Sequence, residues 1–284
     1  MDTRWGMATD AGHRSVNEDA ALAHPPVFAV ADGMGGHARG DMASRCAVDA
    51  LREVARRAAA PLTAADVTAA LTRAAEQIQA TMATEAGADA VAGTTVAGAV
   101  RTEHGGEPAW LVLNVGDSRV YRLRGTTFEQ VSVDHSLVQE MVDAGTLDPA
   151  AARTHPRRNI ITRAVGTDRE VEPDFFMLPA HPGDRLLLCT DGLVGELEDH
   201  EIAGVLFATA NPAEAAAALV ARAVAAGAED NVTVVVVDTG DDPADAPDDT
   251  AHAPDDPAHA PGDAAEGDPN ERDARERDDA EARD

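Results

Sequence analysis

The chain has 284 residues and a formal net charge of −28 at neutral pH, with 51 acidic residues against 23 basic ones. So negative a protein is not expected to bind nucleic acid or an anionic membrane, because both partners carry the same sign of charge. The sequence has no run of 18 apolar residues, starts with no signal peptide, and contains only two cysteines, Cys46 and Cys189. We therefore expect a cytoplasmic protein with reduced thiols.

The end of the chain differs in composition from the rest. From Gly240 onward there is no Val, Ile, Leu or aromatic residue, and 17 acidic residues stand against four arginines. Such a segment cannot bury enough apolar surface to offset the entropy lost on ordering. The sequence predicts one folded domain over residues 1–239 and a disordered, acidic Asp/Ala/Pro-rich tail over residues 240–284.

The folded part alternates between groups of strands and groups of helices. Closely spaced strands separated by short Gly-containing turns indicate antiparallel sheets, and we expect two such sheets with helices outside each, an α+β fold. Strands are predicted at 4–10, from 27 to Asp32, and at 94–101, 109–115, 119–124, 127–132, 173–178, 185–191 and 231–238; helices are predicted at 41–60, from Thr63 or Asp66 to about 85, and at 136–144, 199–209 and 212–226.

Four aspartates lie at the ends of short apolar runs. A carboxylate in that position must be solvated, hydrogen-bonded or paired with a cation, because burying it alone is very costly. Since the acids are spread over about two hundred residues, we expect the fold to collect them in one cluster that suits Mg²⁺ or Mn²⁺. They are Asp32, Asp117, Asp191 and Asp230.

Two further stretches carry candidate binding groups. Arg14 precedes the acidic pair Glu18-Asp19. This stretch is either a solvated loop, or a site in which the Arg14 guanidinium binds phosphate beside two metal-site carboxylates. Residues 146–168 lack periodicity, and this part of an acidic protein is the best candidate for binding an anionic partner. Its arginines are Arg153, Arg157, Arg158, Arg163 and, just beyond, Arg169.

Three other motifs are rejected. The glycines after Asp32 fit a dinucleotide fingerprint, but the aspartate would repel a pyrophosphate and the later strands do not alternate with helices. Cys46 and Arg52 have the spacing of cysteine phosphatases, but no glycine lies between them and the segment is predicted to be helical. The regular ligand spacing of an EF-hand calcium loop is absent.

Taken together, the motifs resemble one family. The resemblance is to the metal-dependent protein phosphatases of type 2C, in their compact bacterial form, and it covers about residues 4–238. The residues that carry it are, in order, Arg14, Glu18-Asp19, Asp32-Gly33, Gly93-Thr94-Thr95, Gly116-Asp117-Ser118-Arg119, Asp191-Gly192 and Asp230-Asn231.

That resemblance implies a four-layer αββα fold, in which two packed antiparallel sheets are flanked by helix pairs, with two Mn²⁺ or Mg²⁺ ions in a cleft. It implies that Asp32 bridges both ions and that the Gly33 carbonyl binds one of them. It also implies that Asp191 and Asp230 complete the coordination of the first ion. Ions about 3.5–4 Å apart would activate a water molecule for direct attack on the phosphoryl group.

The resemblance assigns the remaining polar residues of the motifs as well. Glu18 and Asp19 would act mostly through metal-bound water, and Asp117 with Asp191 would hold a third, weaker ion. Arg14 would bind and orient the substrate phosphate, which makes Arg14 and Asp32 the predicted catalytic residues. Residues 134–166 correspond to the mobile flap beside the cleft.

One position departs from the animal members of the family. They have a histidine directly after the Asp-Gly pair as a candidate general acid, and this chain has Met34, which cannot donate a proton. The bacterial members commonly share the methionine. The acid is then either His37 or a metal-bound water.

The prediction is a metal-dependent protein serine/threonine phosphatase that acts on phosphoserine and phosphothreonine. By the resemblance, its partners are phosphorylated proteins, including a serine/threonine kinase and that kinase's substrates, and the protein is a monomer. Two alternatives remain: a catalytically weak, phosphoprotein-binding regulator with the same fold, and a plain divalent-metal-binding protein. For the acidic tail, solubility and docking on the arginines of residues 153–169 are both open.

Overall fold

The computed structural model describes residues 2–35, 39–85, 91–168 and 170–240. The predictions about His37, about Arg169 and about the tail beyond residue 240 lie outside this part of the chain.

The described residues contain eleven strands and seven helices. The strands are β1 (Asp2–Asp10), β2 (Asp19–His24), β3 (Val27–Gly35), β4 (Ala92–Thr94), β5 (Val96–His104), β6 (Glu107–Val115), β7 (Arg119–Arg124), β8 (Thr127–Gln130), β9 (Asp174–Pro179), β10 (Arg185–Cys189) and β11 (Val232–Gly240). The helices are α1 (Gly40–Arg57), α2 (Ala64–Glu85), α3 (Leu137–Asp143), α4 (Pro149–Ala152), α5 (Asp191–Glu196), α6 (Asp199–Ala208) and α7 (Pro212–Ala226).

The strands form two sheets in which every named pair is antiparallel. Sheet 1 has the order β1-β11-β10-β7-β8, and sheet 2 has the order β2-β3-β5-β6-β9, with β4 paired to β3. The predicted α+β fold with two antiparallel sheets is therefore confirmed. The antiparallel pairing also excludes the parallel βαβ arrangement that a dinucleotide fingerprint requires.

Alternate side chains of β3 face different layers. Val27, Ala29 and Ala31 pack with the residues of α1 and α2. Phe28 and Val30 pack in the layer between the two sheets. Because both faces of β3 are buried, the strand is a continuous apolar run and does not alternate with polar residues. On the other side of the molecule, α5, α6 and α7 cover sheet 1.

The layer between the sheets is built around three aromatic rings. Phe28 lies 5.8 Å from Trp5 and 6.0 Å from Trp110, measured between ring centroids. Trp5 belongs to sheet 1, and the other two rings belong to sheet 2. This cluster therefore joins the two sheets through buried apolar area, the main favourable term in folding.

The helix ends follow the sequence signals closely. The Thr63 amide donates to Asp66 Oδ2 (2.9 Å), and the Asp66 amide donates to Thr63 Oγ1 (3.3 Å), so both predicted caps act together at the start of α2. Asn211 caps α7, and Gly227 ends it in the left-handed region at φ +106°.

Several elements differ from the prediction. β2 was missed because its sequence is rich in alanine, which has a low preference for strands. β3 continues through Asp32 to Gly35, so Asp32 lies inside a strand, whereas the sequence predicted it at the strand end. The strand predicted to reach Asp191 ends at Cys189, and Asp191 begins the unpredicted helix α5. The one-turn helix α4 was also not predicted.

Both cysteines are free thiols. Cys46 lies in the middle of α1, as predicted, and burial followed by the charge of Asp49 raises its pKa. Burial also raises the pKa of Cys189, to about 12. Neither thiol is therefore activated as a nucleophile. Within the described residues, no helix combines the length and apolar character needed to cross a membrane.

We expect Phe28→Ala to lower the free energy of unfolding by about 3–5 kcal/mol, because it leaves a cavity between the sheets. Phe207→Ala is the matched control, since Phe207 is 69 % exposed and its loss should change stability by less than about 0.5 kcal/mol. Urea denaturation followed by circular dichroism measures both. Equal effects of the two substitutions would show that the ring cluster does not join the sheets.

Candidate metal centre

Five aspartates come together at one end of the two sheets. Side chains of β3 point alternately to its two faces, and Asp32 lies on the same face as Phe28 and Val30, towards sheet 1. The residue opposite Asp32 on the neighbouring strand β2 is Asp19. The pKa of Asp32 is raised well above its usual value, first by burial and then by the charges of other aspartates. Those neighbours are Asp191, Asp19, Asp117 and Asp230. The structure therefore collects the four predicted acids and Asp19 in one cluster.

Burial and crowding raise the pKa of three further carboxyls, those of Asp19, Asp117 and Asp191. Burial is the main cause that raises the pKa of Asp19 to about 7 and that of Asp117 to about 8. The pKa of Asp191 is raised by burial and then by Asp230, although a hydrogen bond with Asp32 opposes the shift. Without a cation, these groups hold protons at pH values where ordinary carboxyls are ionised.

Three of the aspartates keep an oxygen without a hydrogen-bond partner. Asp19 Oδ1, Asp117 Oδ1 and Asp191 Oδ1 are buried in this way, and the fourth such side-chain oxygen in the described residues is Asn114 Oδ1. Buried carboxylate oxygens are normally paired, and hard divalent cations bind such oxygens. The residues present therefore fit a divalent-metal site.

The carboxylates that the structure describes do not form a complete set of metal ligands by themselves. In the described part of the chain, no three His, Cys, Asp or Glu side chains form a group that could hold an ion by themselves. An ion would have to complete its coordination with water and backbone oxygens, which is the ordinary behaviour of Mg²⁺.

Two threonines hold the backbone of Asp32 in place. The Asp32 amide donates to Thr95 Oγ1 (2.9 Å), and its carbonyl accepts from Thr95 N (2.9 Å) and from Thr94 Oγ1 (2.8 Å). Thr95 Oγ1 also lies 2.7 Å from Ser118 Oγ, next to Asp117. All three hydroxyl side chains are fully buried. This network fixes the backbone that carries the Asp32 carboxylate.

Glycines allow the elements of the site to touch through their backbones. A Cβ on Gly33 would lie 2.0 Å from the Gly40 carbonyl oxygen, and one on Gly192 would lie 2.1 Å from the Asn231 carbonyl oxygen. Real Cβ atoms do not approach so closely, so only glycine fits at either position. These contacts bring β3 against α1, and α5 against the start of β11.

Glu18 and Asp19 are held by neighbouring elements. Glu18 Oε1 accepts from Gly40 N at the start of α1 (3.1 Å), where a negative charge is favoured. The Glu18 amide donates to Asn231 Oδ1 (2.8 Å). Asp19 Oδ2 accepts from Thr190 Oγ1 (2.9 Å). The acidic pair is thus tied by hydrogen bonds to α1 and to the residues before α5 and β11, unlike a freely solvated loop.

Arg14 lies at the edge of the cluster. Its Nη2 donates to Asp230 Oδ2 (2.8 Å), and its Nε donates to the Glu229 carbonyl (3.3 Å). The Arg14 side chain is 57 % exposed, so its charge is accessible from solvent. Exposed ion pairs of this kind are weak, and an incoming anion can compete for the guanidinium.

A pocket of about 210 Å³ lies between the aspartates and residues 136–159. Asp117 and Asp191 line one side, and Arg153 and Arg158 line another. Of the other predicted arginines that the structure describes, Arg163 pairs with Asp174, and Arg157 Nη2 lies 3.9 Å from Met141 Sδ. The arginine-containing loop therefore does border the acidic cluster.

Several supporting residues were not assigned roles from the sequence. Thr190, Ser118 and Asn231 stand directly beside acids of the motifs, and this adjacency was the available signal. Their function became visible only through partners far away in the sequence. Thr190 reaches across 171 positions to Asp19, and Asn231 reaches across 213 positions to Glu18.

Known proteins resemble this chain over most of its length. The family model for protein phosphatase 2C matches residues 9–226. The chain belongs to the protein phosphatase 2C family. The serine/threonine phosphatase stp of Listeria welshimeri is 37% identical to it over 216 residues, which cover 75% of this chain and 84% of that protein.

Solved structures of family members have the same fold. The serine/threonine phosphatase PstP/Ppp of Mycobacterium tuberculosis superposes with a TM-score of 0.78 at 35% identity, covering 84% of this chain and 99% of that one. The catalytic domain of PstP in complex with two manganese ions superposes with a TM-score of 0.76 at 34% identity, with the same coverage. These protein phosphatase 2C structures support metal dependence of the family fold.

We expect the metal-free protein to lose stability as the pH rises from about 5 to about 8. The raised pKa of Asp117, about 8 against an ordinary 3.8, means that the folded state holds a proton that the unfolded state has already lost in this range. Asp117→Asn should reduce this loss of stability, since an amide does not ionise.

Urea denaturation in EDTA at several pH values measures the free energy of unfolding, and Glu103→Gln is the control at an exposed position. If the free energy of unfolding changed equally with pH in both variants, the prediction would be contradicted.

Thr95→Val should weaken Mn²⁺ binding about tenfold, because it removes the hydroxyl that holds the Asp32 amide. Thr102→Val is the matched control, since Thr102 is also buried and its hydroxyl donates to the Leu62 carbonyl (2.7 Å). Both variants should lose about 1–3 kcal/mol of stability. Titration calorimetry separates them, and equal Mn²⁺ affinities in the two variants would refute a positioning role for Thr95.

Proposed function

We propose that this chain is a metal-dependent protein phosphatase that hydrolyses phosphoserine and phosphothreonine by direct attack of water and opposes a serine/threonine kinase. The observation that carries the proposal is the cluster of five aspartates, in which burial raises the pKa of four and three keep an unpaired oxygen. Membership of the protein phosphatase 2C family supports the reaction class, since its curated relatives are serine/threonine phosphatases.

Asp32 and the Gly33 carbonyl, with Asp191 and Asp230, are the groups that we propose to hold the core ions. Two ions of Mn²⁺ or Mg²⁺ would supply a water molecule of lowered pKa and neutralise the charge of the phosphoryl oxygens. The oxygen-only donor set suits either ion. The PstP domain with two manganese ions supports this number.

The surrounding acids have supporting roles in the proposal. Glu18 and Asp19 would act through water, which fits a Glu18 carboxylate that already accepts from Gly40 N. Asp117 would share a third ion with Asp191, and both line the same pocket.

Arg14 is proposed to bind the substrate phosphate and orient it for in-line attack. A guanidinium matches the oxygens of a phosphate through two parallel hydrogen bonds. The carboxylate that pairs with Arg14, Asp230, is also half-exposed, so a phosphate can replace it as the partner of the guanidinium. This positioning contributes to the rate because the reacting groups are held in line before the reaction.

No side chain is needed as a nucleophile. Both thiols keep raised pKa values, and the Ser118 hydroxyl is hydrogen-bonded to Thr95 below Asp32. We therefore propose that no phosphoenzyme forms. The general acid remains either a water or His37, since Met34 follows Gly33.

A phosphothreonine peptide tests the activity directly. We expect phosphate release with Mn²⁺, none with EDTA, and a loss of about a hundredfold or more in Asp32→Ala and in Asp191→Ala, because each removes a proposed ligand. Full activity of Asp191→Ala would refute the site. No release by the wild-type protein would favour the alternative of a phosphoprotein-binding regulator with the same fold.

Arg14→Ala should raise KM for the phosphopeptide about tenfold, the value of a charge-assisted hydrogen bond, with little change in Mn²⁺ affinity. Arg4→Ala is the matched control, because Arg4 is also half-exposed and lies 3.8 Å from an acid, Asp238. Steady-state kinetics and calorimetry measure the two effects. A loss of Mn²⁺ affinity without a change in KM would assign Arg14 to the metal site instead.

A further inference from the structure

His135 holds both backbone polar groups of Gly116. The Gly116 amide donates to His135 Nδ1 (3.2 Å), and the His135 amide donates to the Gly116 carbonyl (2.9 Å). Asn114 Nδ2 donates to the same carbonyl (2.9 Å). Gly116 has φ +102° and directly precedes Asp117. The imidazole therefore sets the turn that carries Asp117 into the acidic cluster.

The hydrogen bonds of His135 define its tautomer. Because Nδ1 accepts from an amide, the hydrogen of the neutral ring is on Nε2, which donates to Asp174 Oδ2 (3.1 Å). Asp174 Oδ1 accepts from Arg163 Nη1 (2.9 Å). Arg163 Nη1 and His135 Nε2 are both donors, so their 3.3 Å contact is not itself a bond. The carboxylate of Asp174 connects the two.

Charge supports this connection. Partial burial acts to raise the pKa of Asp174, but hydrogen bonds from His135 and Arg163 outweigh it and hold that pKa below its usual value. The His135 side chain is only 5 % exposed, whereas Asp174 and Arg163 are 40 % and 43 % exposed. The chain of contacts thus runs from a buried turn to the surface.

Two of these residues, His135 and Arg163, lie where the two ends of the flap, residues 134–166, meet. The His135 carbonyl accepts from Thr162 N (2.8 Å), which joins the start of the flap to its end. Val165 exchanges two backbone hydrogen bonds with Thr94 (2.8 and 2.9 Å), and the Thr94 hydroxyl holds the Asp32 carbonyl. We call this junction, residues 135–137 with 160–165, the flap neck.

We propose that His135, Asp174 and Arg163 form a positioning relay that couples the flap neck to the backbone of Asp117. A displacement of the neck would separate Arg163 from Asp174, weaken the hold of Asp174 on the imidazole and loosen Gly116. The affinity of the site for a divalent ion at Asp117 would then depend on the state of the flap. The dependence on metal rests on the proposed function of Asp117, but the mechanical coupling does not.

The first test compares two arginines of the flap in the metal-free full-length chain. Arg163→Met breaks the relay at a half-exposed position, so the fold is retained. Arg157→Met removes the same charge from a residue outside the relay. Amide hydrogen exchange followed by NMR should show Gly116 and Asp117 exchanging about fivefold faster in Arg163→Met, and unchanged in Arg157→Met. Unchanged exchange in Arg163→Met would overturn the relay.

The second test measures metal binding without turnover. Mn²⁺ titration calorimetry should lose one class of site in Asp117→Asn, and this class should weaken about tenfold in Arg163→Met and in Asp174→Asn. A full-strength site in both variants would overturn the coupling to metal. If Asp117→Asn changes nothing, the proposed role of Asp117 fails, and the exchange experiment still decides the relay.

A spectroscopic readout distinguishes the relay from general packing. The ¹⁵N shifts of His135 should show the neutral ring with its hydrogen on Nε2, and this pattern should change in Asp174→Leu, which removes the acceptor of Nε2, but persist in Arg157→Met. A hydrogen on Nδ1 in the wild-type protein would be incompatible with the Gly116 bond and would overturn the proposal.

Discussion

The burial of several carboxyl groups close together is the constraint on which the rest of this structure depends. Asp19, Asp32, Asp117 and Asp191 all have raised pKa values, and each has burial as its main cause. A protein gains nothing in stability from such an arrangement alone. The surrounding elements must therefore be rigid enough to hold these groups close together until cations bind, and function is the reason for the cluster.

The rigidity comes from short polar contacts under each acid. Thr94 and Thr95 hold the Asp32 backbone, Thr190 holds the Asp19 carboxylate, and His135 holds the residue before Asp117. Each of these side chains is buried and forms a hydrogen bond with the group that it holds. Outer contacts of this kind orient metal ligands in proteins generally and are as necessary as the ligands themselves.

The sequence was sufficient to predict most strands and the clustering of Asp32, Asp117, Asp191 and Asp230 because their signals are local. Apolar runs that end in Asp117 or precede Asp230 are visible in a few residues, and the Thr63 and Gly227 caps are equally local. By contrast, β2 has the composition of a helix and becomes a strand only by pairing with β3. The His135 contacts could not be predicted, since they depend on how a turn, a flap and β9 meet in space.

The position of β11 has a consequence for how the protein is made. It is the last strand of the described residues, yet it lies between β1 and β10 in sheet 1. During synthesis both neighbours must wait with unpaired edges, which are prone to pair with other chains. Asp230, one of the five aspartates of the cluster, lies just before β11, so the cluster is complete only after nearly the whole domain has left the ribosome. Assembly of the acidic cluster would thus mark the end of folding, and chains shortened before this strand would carry an incomplete sheet.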